Sequence, residues 1–248
     1  MKKIFTLVIA ICAIYTANAG NGDNDSKFTL GVSVGAALPM GAYGSAKSDT
    51  TIANSNDSTH INNGYAKTGF HFDITAGYLF ADNIGGMVYI GGNMNSFDDA
   101  TYNAVNGIRA PTTSTHTNWY VGQYLVGPFL SLPASDKLKI DIRVLVGLVT
   151  ANLPTGTAAA NDGSGETLIT SGNGGSGFGY QLGGGIKYNL SDKMGLTVNI
   201  AYTGSTINYT GYKYVYSGPY NATTINTTAK RTMSTGLLTT TVGIAFNL

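Results

Sequence analysis

The residues with the clearest potential for chemistry are a histidine and an aspartate two positions apart, His71 and Asp73. Both fall in a segment where apolar and polar residues alternate, so their side chains would point to the same side of a β-strand. An imidazole beside a carboxylate can activate a water molecule for hydrolysis. No third catalytic group can be placed beside the pair, so we predict a protein without enzymatic activity and keep a hydrolase as the third functional hypothesis.

Charged residues occur at positions of several such segments that share a face with polar residues. If the segments enclose an interior, these charged side chains would all point into it. They are Asp73, Lys139, Asp141, Arg143 and Lys187. Charged groups away from water need partners of opposite charge. We therefore predict a structural network of ion pairs among them. A narrow channel for small solutes is the alternative, because the many glycines on the same side would leave free volume.

The remaining motifs do not indicate a cofactor or a metal site. Gly172–Gly177 has the glycine spacing of a dinucleotide-binding loop, but the pattern that follows it is a strand instead of the required helix. His60 and His116 fall in separate connectors, so we predict no metal site. Cys12, near the N-terminus, is the only cysteine, which rules out a disulfide.

Eight alternating segments must position these residues. They are Phe28–Leu38, Gly69–Phe80, Ile84–Asn95, Trp119–Leu132, Leu138–Val149, Phe178–Leu190, a segment from Met194 to about Tyr202 and a segment from about Met233 to the end. The connectors between them are alternately long and short. The long ones are roughly 39–67, 96–118, 152–177 and 207–231, and the short ones are Ala81–Asn83, Pro133–Lys137 and Ser191–Lys193. Short turns at one end and long loops at the other are typical of membrane β-barrels.

Leu138–Val149 shows the alternation most clearly. Residues of one parity are aliphatic, whereas those of the other include Lys139, Asp141 and Arg143. The first face suits lipid and the second suits a crowded lumen. We predict an all-β fold, an eight-stranded antiparallel up-and-down transmembrane β-barrel with short periplasmic turns and four long extracellular loops. A secreted barrel of the lipocalin type is the alternative, in which the aliphatic faces would point inward.

The N-terminus has the features of an export signal. Two lysines follow the first methionine, the apolar run Ile4–Tyr15 comes next, and a small-residue cleavage motif ends at Ala19. We predict a signal peptide over residues 1–19 and one outer-membrane barrel domain over residues 20–248.

The composition agrees with a barrel in lipid. Charged residues make up 11% of the chain, less than half of the usual share of about 25% in soluble domains. Removing the two lysines of the signal from the 14 basic residues leaves 12 against 13 acidic ones, so no basic patch for nucleic acid is expected. After the signal no apolar run is long enough for a membrane helix, and strands are the other way to cross a bilayer.

Aromatic residues gather where the segments would meet the membrane surfaces. The predicted periplasmic girdle consists of Phe28, Tyr78, Phe80, Tyr188 and Phe246, and the outer girdle of Phe70, Phe72, Trp119, Tyr120, Phe178 and Tyr180. In the last long connector Tyr212, Tyr214 and Tyr216 alternate, which predicts that the final hairpin continues above the membrane. These tyrosines are a possible surface contact for a ligand, and an extended girdle is the alternative.

Three stretches carry a resemblance to a known family: Gly31–Gly41, Val126–Phe129 and Leu182–Tyr188. They resemble the small outer-membrane β-barrel proteins common in Bacteroidetes, which are similar to OmpX and to the membrane domain of OmpA. Members usually end in an aromatic residue that the assembly machinery recognises; here Leu248 is last and Phe246 lies two positions before it.

The resemblance implies an outer-membrane location in a Gram-negative bacterium and a non-enzymatic surface or structural role exercised through the extracellular loops. The expected surroundings are outer-membrane lipid and lipopolysaccharide. Periplasmic chaperones and the barrel-assembly machinery are the expected partners during biogenesis.

Overall fold

A computed structural model describes residues 27–46, 60–105, 112–160, 164–218 and 222–248. The predicted signal peptide and its cleavage site lie outside these residues. The elements in chain order are β1 (Phe28–Met40), β2 (Gly69–Leu79), β3 (Ile84–Asn95), α1 (Asp99–Val105), β4 (Thr112–His116), β5 (Trp119–Pro133), β6 (Leu138–Asn152), β7 (Gly156–Ala160), β8 (Thr167–Gly172), β9 (Gly175–Ser191), β10 (Met194–Ser217) and β11 (Ala222–Asn247).

Eight of the strands form a closed antiparallel ring in the order β1, β2, β3, β5, β6, β9, β10 and β11. The ring closes where β11 pairs with β1, from the pair Met40 and Gly236 to the pair Thr29 and Asn247. Closure leaves no strand edge inside the membrane, so the backbone groups find their partners within the barrel. The predicted eight-stranded barrel is confirmed.

Apolar side chains cover the outside of the ring. In β6 the aliphatic residues of one face, from Ile140 to Leu148, are 42–48% exposed, whereas Leu145 and Val149 on the other face are at most 1% exposed. A lipocalin-type calyx would bury the aliphatic faces, so that alternative is wrong. An outward apolar band is the surface that lipid covers in a membrane barrel.

The two ends of the barrel differ as the connector lengths predict. Turns of a few residues join β2 to β3, β5 to β6 and β9 to β10. Both chain ends of the ring lie at this end, where the Leu248 N–H donates to the Phe28 carbonyl at 2.9 Å. In an outer-membrane barrel this is the periplasmic end.

The opposite end carries a smaller sheet outside the barrel. Above the ring, β10 and β11 stay paired as far as Ser217 and Ala222. The upper part of β10 also pairs with β8, β8 with β7 and β7 with β4. We call β4, β7, β8 and the upper parts of β10 and β11 the outer sheet. The predicted continuation of the last hairpin is confirmed, and β11 begins 11 residues before Met233 because its Thr-rich and Ile-containing start favours strand.

A β-bulge marks the boundary between the barrel and the outer sheet. The pairing of β10 with β11 shifts register between Thr210 and Tyr212. Gly211, between them, has a φ of 77°, a backbone conformation that L-residues with a Cβ rarely adopt. Bulges bend and twist a strand, so this glycine lets the hairpin leave the barrel wall and join β8.

One helix occurs in the described residues, in the connector between β3 and β4. The carboxylate of Asp98 accepts hydrogen bonds from the Thr101 backbone N–H at 3.2 Å and from the Thr101 hydroxyl at 2.8 Å, which caps the start of α1. None of the helices in the described part of the chain is long and apolar enough to cross a membrane.

The predicted place of Trp119 in the outer girdle is wrong. Its side chain is 2% exposed and its indole N–H donates to the Gly64 carbonyl at 2.8 Å inside the outer mouth of the barrel. Neighbouring side chains in a strand point to opposite faces, so Trp119 points inward because Tyr120 points outward.

Candidate functional site

The outer half of the lumen is filled by side chains. The ring of Tyr43 packs edge-on against Trp119 with 5.3 Å between the ring centroids, and its hydroxyl donates to the Asn95 side chain at 3.1 Å. The buried side chains around them are Tyr89, Leu125, Leu145, Val149, Ile207, Tyr209, Met233 and Leu237. Because Tyr43 follows β1, the described start of the first long connector enters the outer mouth of the barrel.

The His71–Asp73 pair lies below this packing. The Nε2 atom of His71 is 3.1 Å from Oδ2 of Asp73 and 2.9 Å from the Tyr89 hydroxyl, and its Nδ1 atom is 2.7 Å from Oδ1 of Asn93. His71 is fully buried and Asp73 nearly so. The pair therefore faces the lumen, as its parity predicts, but both ring nitrogens are engaged by protein atoms instead of standing at an open rim.

A second polar network crosses the lumen at the same depth. The Thr203 hydroxyl and the Gln181 amide donate to the Gln123 carbonyl oxygen at 3.2 and 3.4 Å. The Arg143 Nε–H donates to the Gln181 carbonyl oxygen at 3.0 Å, and the guanidinium lies 5.5 Å from the centre of the Tyr89 ring. These hydrogen bonds connect β5, β6, β9 and β10 within the lumen and give partners to several of their buried polar atoms, although Nε2 of Gln123 has no partner among the described residues.

Below the two networks the lumen opens into a cavity of about 570 Å³ at the periplasmic end. We call it the periplasmic cavity. All five charged residues of the predicted network line it: Asp73, Lys139, Asp141, Arg143 and Lys187. The structure thus brings them to one cavity.

Contacts between these charges are sparse. Among the described residues the one ion pair that includes any of the five is the contact of Asp73 with His71. Lys187 donates from Nζ to Oδ1 of Asn247 at 3.1 Å. The Oδ1 atom of Asp141 is buried and has no hydrogen-bond partner in the part of the chain that the structure describes. The predicted ion-pair network stays a prediction.

The predicted tyrosine surface lies in the outer sheet. Tyr214 of β10 stands opposite Ile225 of β11, and Tyr216 stands opposite Leu168 of β8. Directly paired residues share a face and alternate residues return to it, so these four side chains form one face, with Leu168, Tyr216 and Ile225 exposed. The backbone of Tyr212 belongs to β10, but its side chain lies outside the described part of the structure. We call the four residues the outer patch.

A side-chain hydrogen bond lies at the edge of the outer patch. The Tyr216 hydroxyl donates to Oε1 of Glu166 at 2.9 Å. This hydrogen bond raises the pKa of the Tyr216 phenol, since the bond is lost when the phenol ionises. The contact ties the Tyr216 side chain to Glu166 at the border of the apolar surface.

An aromatic cluster beside α1 was not foreseen from the sequence. The His116 ring stacks on Phe97 with 4.0 Å between centroids and meets Tyr102 edge-on at 4.7 Å. Its Nδ1 atom lies 2.7 Å from Oδ1 of Asp99. These residues all belong to the long connector 96–118, which has no strand periodicity, so no pattern in the sequence could reveal the contact. In the described residues no group of three or more His, Cys, Asp or Glu side chains is suited to hold a metal ion.

Comparison with known proteins shows similarity of fold only. No protein-family model matches the chain, and no curated protein matches it. Solved structures of outer-membrane barrels align over most of its length. The attachment invasion locus protein Ail of Yersinia pestis is 12% identical, with 89% of this chain and 99% of that chain covered and a TM-score of 0.39. Neisserial surface protein A is 14% identical over 90% and 98%, with a TM-score of 0.42.

A third structure is a major outer-membrane protein of Thermus thermophilus, which is 11% identical over 88% of this chain and 98% of that chain, with a TM-score of 0.48. The chain itself has the fold of an eight-stranded antiparallel transmembrane β-barrel. That statement rests on its own closed ring of eight strands and its outward apolar band.

Proposed function

We propose that this protein is a non-enzymatic surface protein of the outer membrane that binds an extracellular partner through the outer patch. The observation that carries the proposal is the apolar and aromatic face of Leu168, Tyr214, Tyr216 and Ile225 on a continuously paired sheet. Exposed apolar and aromatic groups clustered on one face are typical of binding surfaces. Export by a signal peptide and insertion by the barrel-assembly machinery belong to the same proposal.

The continuous strand pairing of the sheet supports this role. β10 and β11 run without interruption from the periplasmic turn to the outer patch, apart from the bulge at Gly211. A binding surface that is already ordered loses less conformational entropy when a partner binds. The patch is therefore better suited to recognition than an irregular loop of the same composition.

The lumen supports a non-enzymatic role. A general base must reach the proton that it abstracts, directly or through one water molecule. The imidazole of His71 is fully buried, and Asp73, Asn93 and Tyr89 occupy the positions around its two nitrogens. The filled outer half of the lumen likewise supports a barrel that does not conduct solutes, so no observation favours the channel.

Binding of the purified barrel to an array of immobilised extracellular proteins and glycans would test the proposal. The barrel is presented in phosphatidylcholine nanodiscs, so that only its two ends are accessible. We expect at least one array component to bind, and we expect Leu168→Ser and Tyr216→Ser to weaken that binding about tenfold or more, since buried aromatic and apolar contacts dominate such interfaces.

Ile169→Ser is the matched control. Ile169 is adjacent to Leu168, is exposed to a similar extent, 37% against 39%, and points to the opposite face of β8. Equal losses for Leu168→Ser and Ile169→Ser would contradict a role for the outer patch. An array without any binder would contradict the proposed function itself.

A further inference from the structure

The walls of the periplasmic cavity contain an unfavourable arrangement of like charges. In the pairing of β6 with β9, Lys139 stands directly opposite Lys187. Like charges at directly opposed positions destabilise a sheet. Both side chains line the cavity, and Arg143 lines it farther in on the same face of β6. Three cationic side chains thus face one cavity of about 570 Å³.

The carboxylates of the cavity do not neutralise this set by direct contact. Asp73 is engaged with His71. Asp141 lies between Lys139 and Arg143 on β6, and within the described residues it makes no ion pair of 4.0 Å or less with any of the three cations. The other charged residues of the cavity, Lys27, Asp82 and Asp192, are exposed at its mouth, where water screens them.

We propose that the periplasmic cavity binds a small oxyanion, a phosphate or carboxylate compound that enters from the periplasm, and that Lys139, Arg143 and Lys187 hold it. Arginine and lysine are the usual partners of such anions. The cavity volume is in the range of small-molecule sites, about 300–1,000 Å³. Charged groups at membrane depth are stable only with partners, and an anion between the opposed lysines would supply one. This site is independent of the outer patch.

The position of Asp141 allows a variant that should bind the anion more tightly. Its carboxylate has the charge of the proposed ligand and lies among the same cations. It therefore competes with an entering anion. Replacing it by asparagine removes the competing charge at nearly constant volume, so Asp141→Asn should bind the anion several-fold more tightly than the unchanged protein.

Titration calorimetry of the full barrel in phosphatidylcholine nanodiscs tests the site. Inorganic phosphate is one probe and citrate the other, which separates a phosphate site from a carboxylate site. We expect one saturable site for at least one of the two probes. Lys139→Met and Lys187→Met should each weaken the affinity for that probe about tenfold or more, since each removes a hydrogen bond to the charged ligand. The matched control is Lys137→Met, in the exposed turn between β5 and β6.

Folding of each variant is checked by its heat-dependent shift in gel mobility. Lys187 donates a hydrogen bond to Asn247, so its variant is the one at risk of misfolding. Lys139→Met and Asp141→Asn then decide, because neither substitution removes the hydrogen bond between Lys187 and Asn247. No saturable binding of either probe would overturn the proposal. So would weaker binding by Asp141→Asn, or a loss in Lys137→Met equal to that in Lys139→Met.

Discussion

At the scale of single residues, the His71–Asp73 pair should contribute to stability and not to catalysis. His71→Ala leaves the Asp73 carboxylate buried with one partner fewer, which we expect to cost about 3 kcal/mol or more in the free energy of unfolding. The double variant His71→Ala/Asp73→Ala should regain part of this loss, because no buried charge is left. Urea unfolding of the refolded barrel in micelles would measure both values.

Thr75→Ala provides the comparison for this experiment. Thr75 lies on the same lumen face of β2, lines the periplasmic cavity and is less buried than Asp73. We expect Thr75→Ala to lower the free energy of unfolding by less than about 1 kcal/mol. If His71→Ala were as mild as Thr75→Ala, the pair would not be a structural element, and the hydrolase hypothesis would regain support.

At the scale of elements, the stability of helix α1 should depend on pH, because its N-terminal cap is the carboxylate of Asp98. Hydrogen bonds from Thr101 lower the pKa of Asp98. A carboxyl group with a lowered pKa stabilises the fold above its ordinary pKa, and this stabilisation is lost as the pH falls through the lowered value. Asp98→Ala should reduce the hydrogen-exchange protection of the α1 amides at neutral pH, by about 0.5–2 kcal/mol in opening free energy.

The variant Asp98→Asn distinguishes the hydrogen-bonding role of the N-cap residue from the effect of its negative charge. Asparagine is also a good N-cap but does not titrate. The variant should keep most of the protection of α1 and lose the part of its pH dependence that Asp98 supplies. Unchanged protection in Asp98→Ala would show that the contacts of Phe97 and Tyr102 alone hold the helix in place.

The elements also show how far the sequence predicts this fold. Period-two alternation placed His71, Asp73 and Lys187 inside the barrel, because lipid and lumen require opposite polarity at alternate positions. The same alternation excludes Trp119 from the outer girdle once Tyr120 is placed there. The first three long connectors have no such period. The three-dimensional structure was therefore needed to show three features: the outer sheet of β4, β7 and β8, the place of Tyr43 in the lumen and the contact of His116 with Phe97.

At the scale of the whole molecule, the barrel combines a filled outer half with a cavity open to the periplasm. This asymmetry predicts that the lumen is accessible from one side of the membrane only. Site-directed labelling suits the question because Cys12, in the predicted signal peptide, is the only cysteine. Thr197→Cys places a thiol in the periplasmic cavity, and Thr224→Cys places one on the exposed part of the outer sheet.

A membrane-impermeant maleimide should label Thr224→Cys in intact cells, whereas Thr197→Cys should react only after the outer membrane is permeabilised. The packing of Tyr43, Trp119 and Tyr209 is the physical reason, since these buried side chains lie between the cavity and the outer mouth. The unchanged protein controls for background reaction. Labelling of Thr197→Cys in intact cells would mean that the packing opens, and the same cells should then take up small solutes through the barrel. Without such labelling, any ligand of Lys139, Arg143 and Lys187 has to arrive from the periplasm.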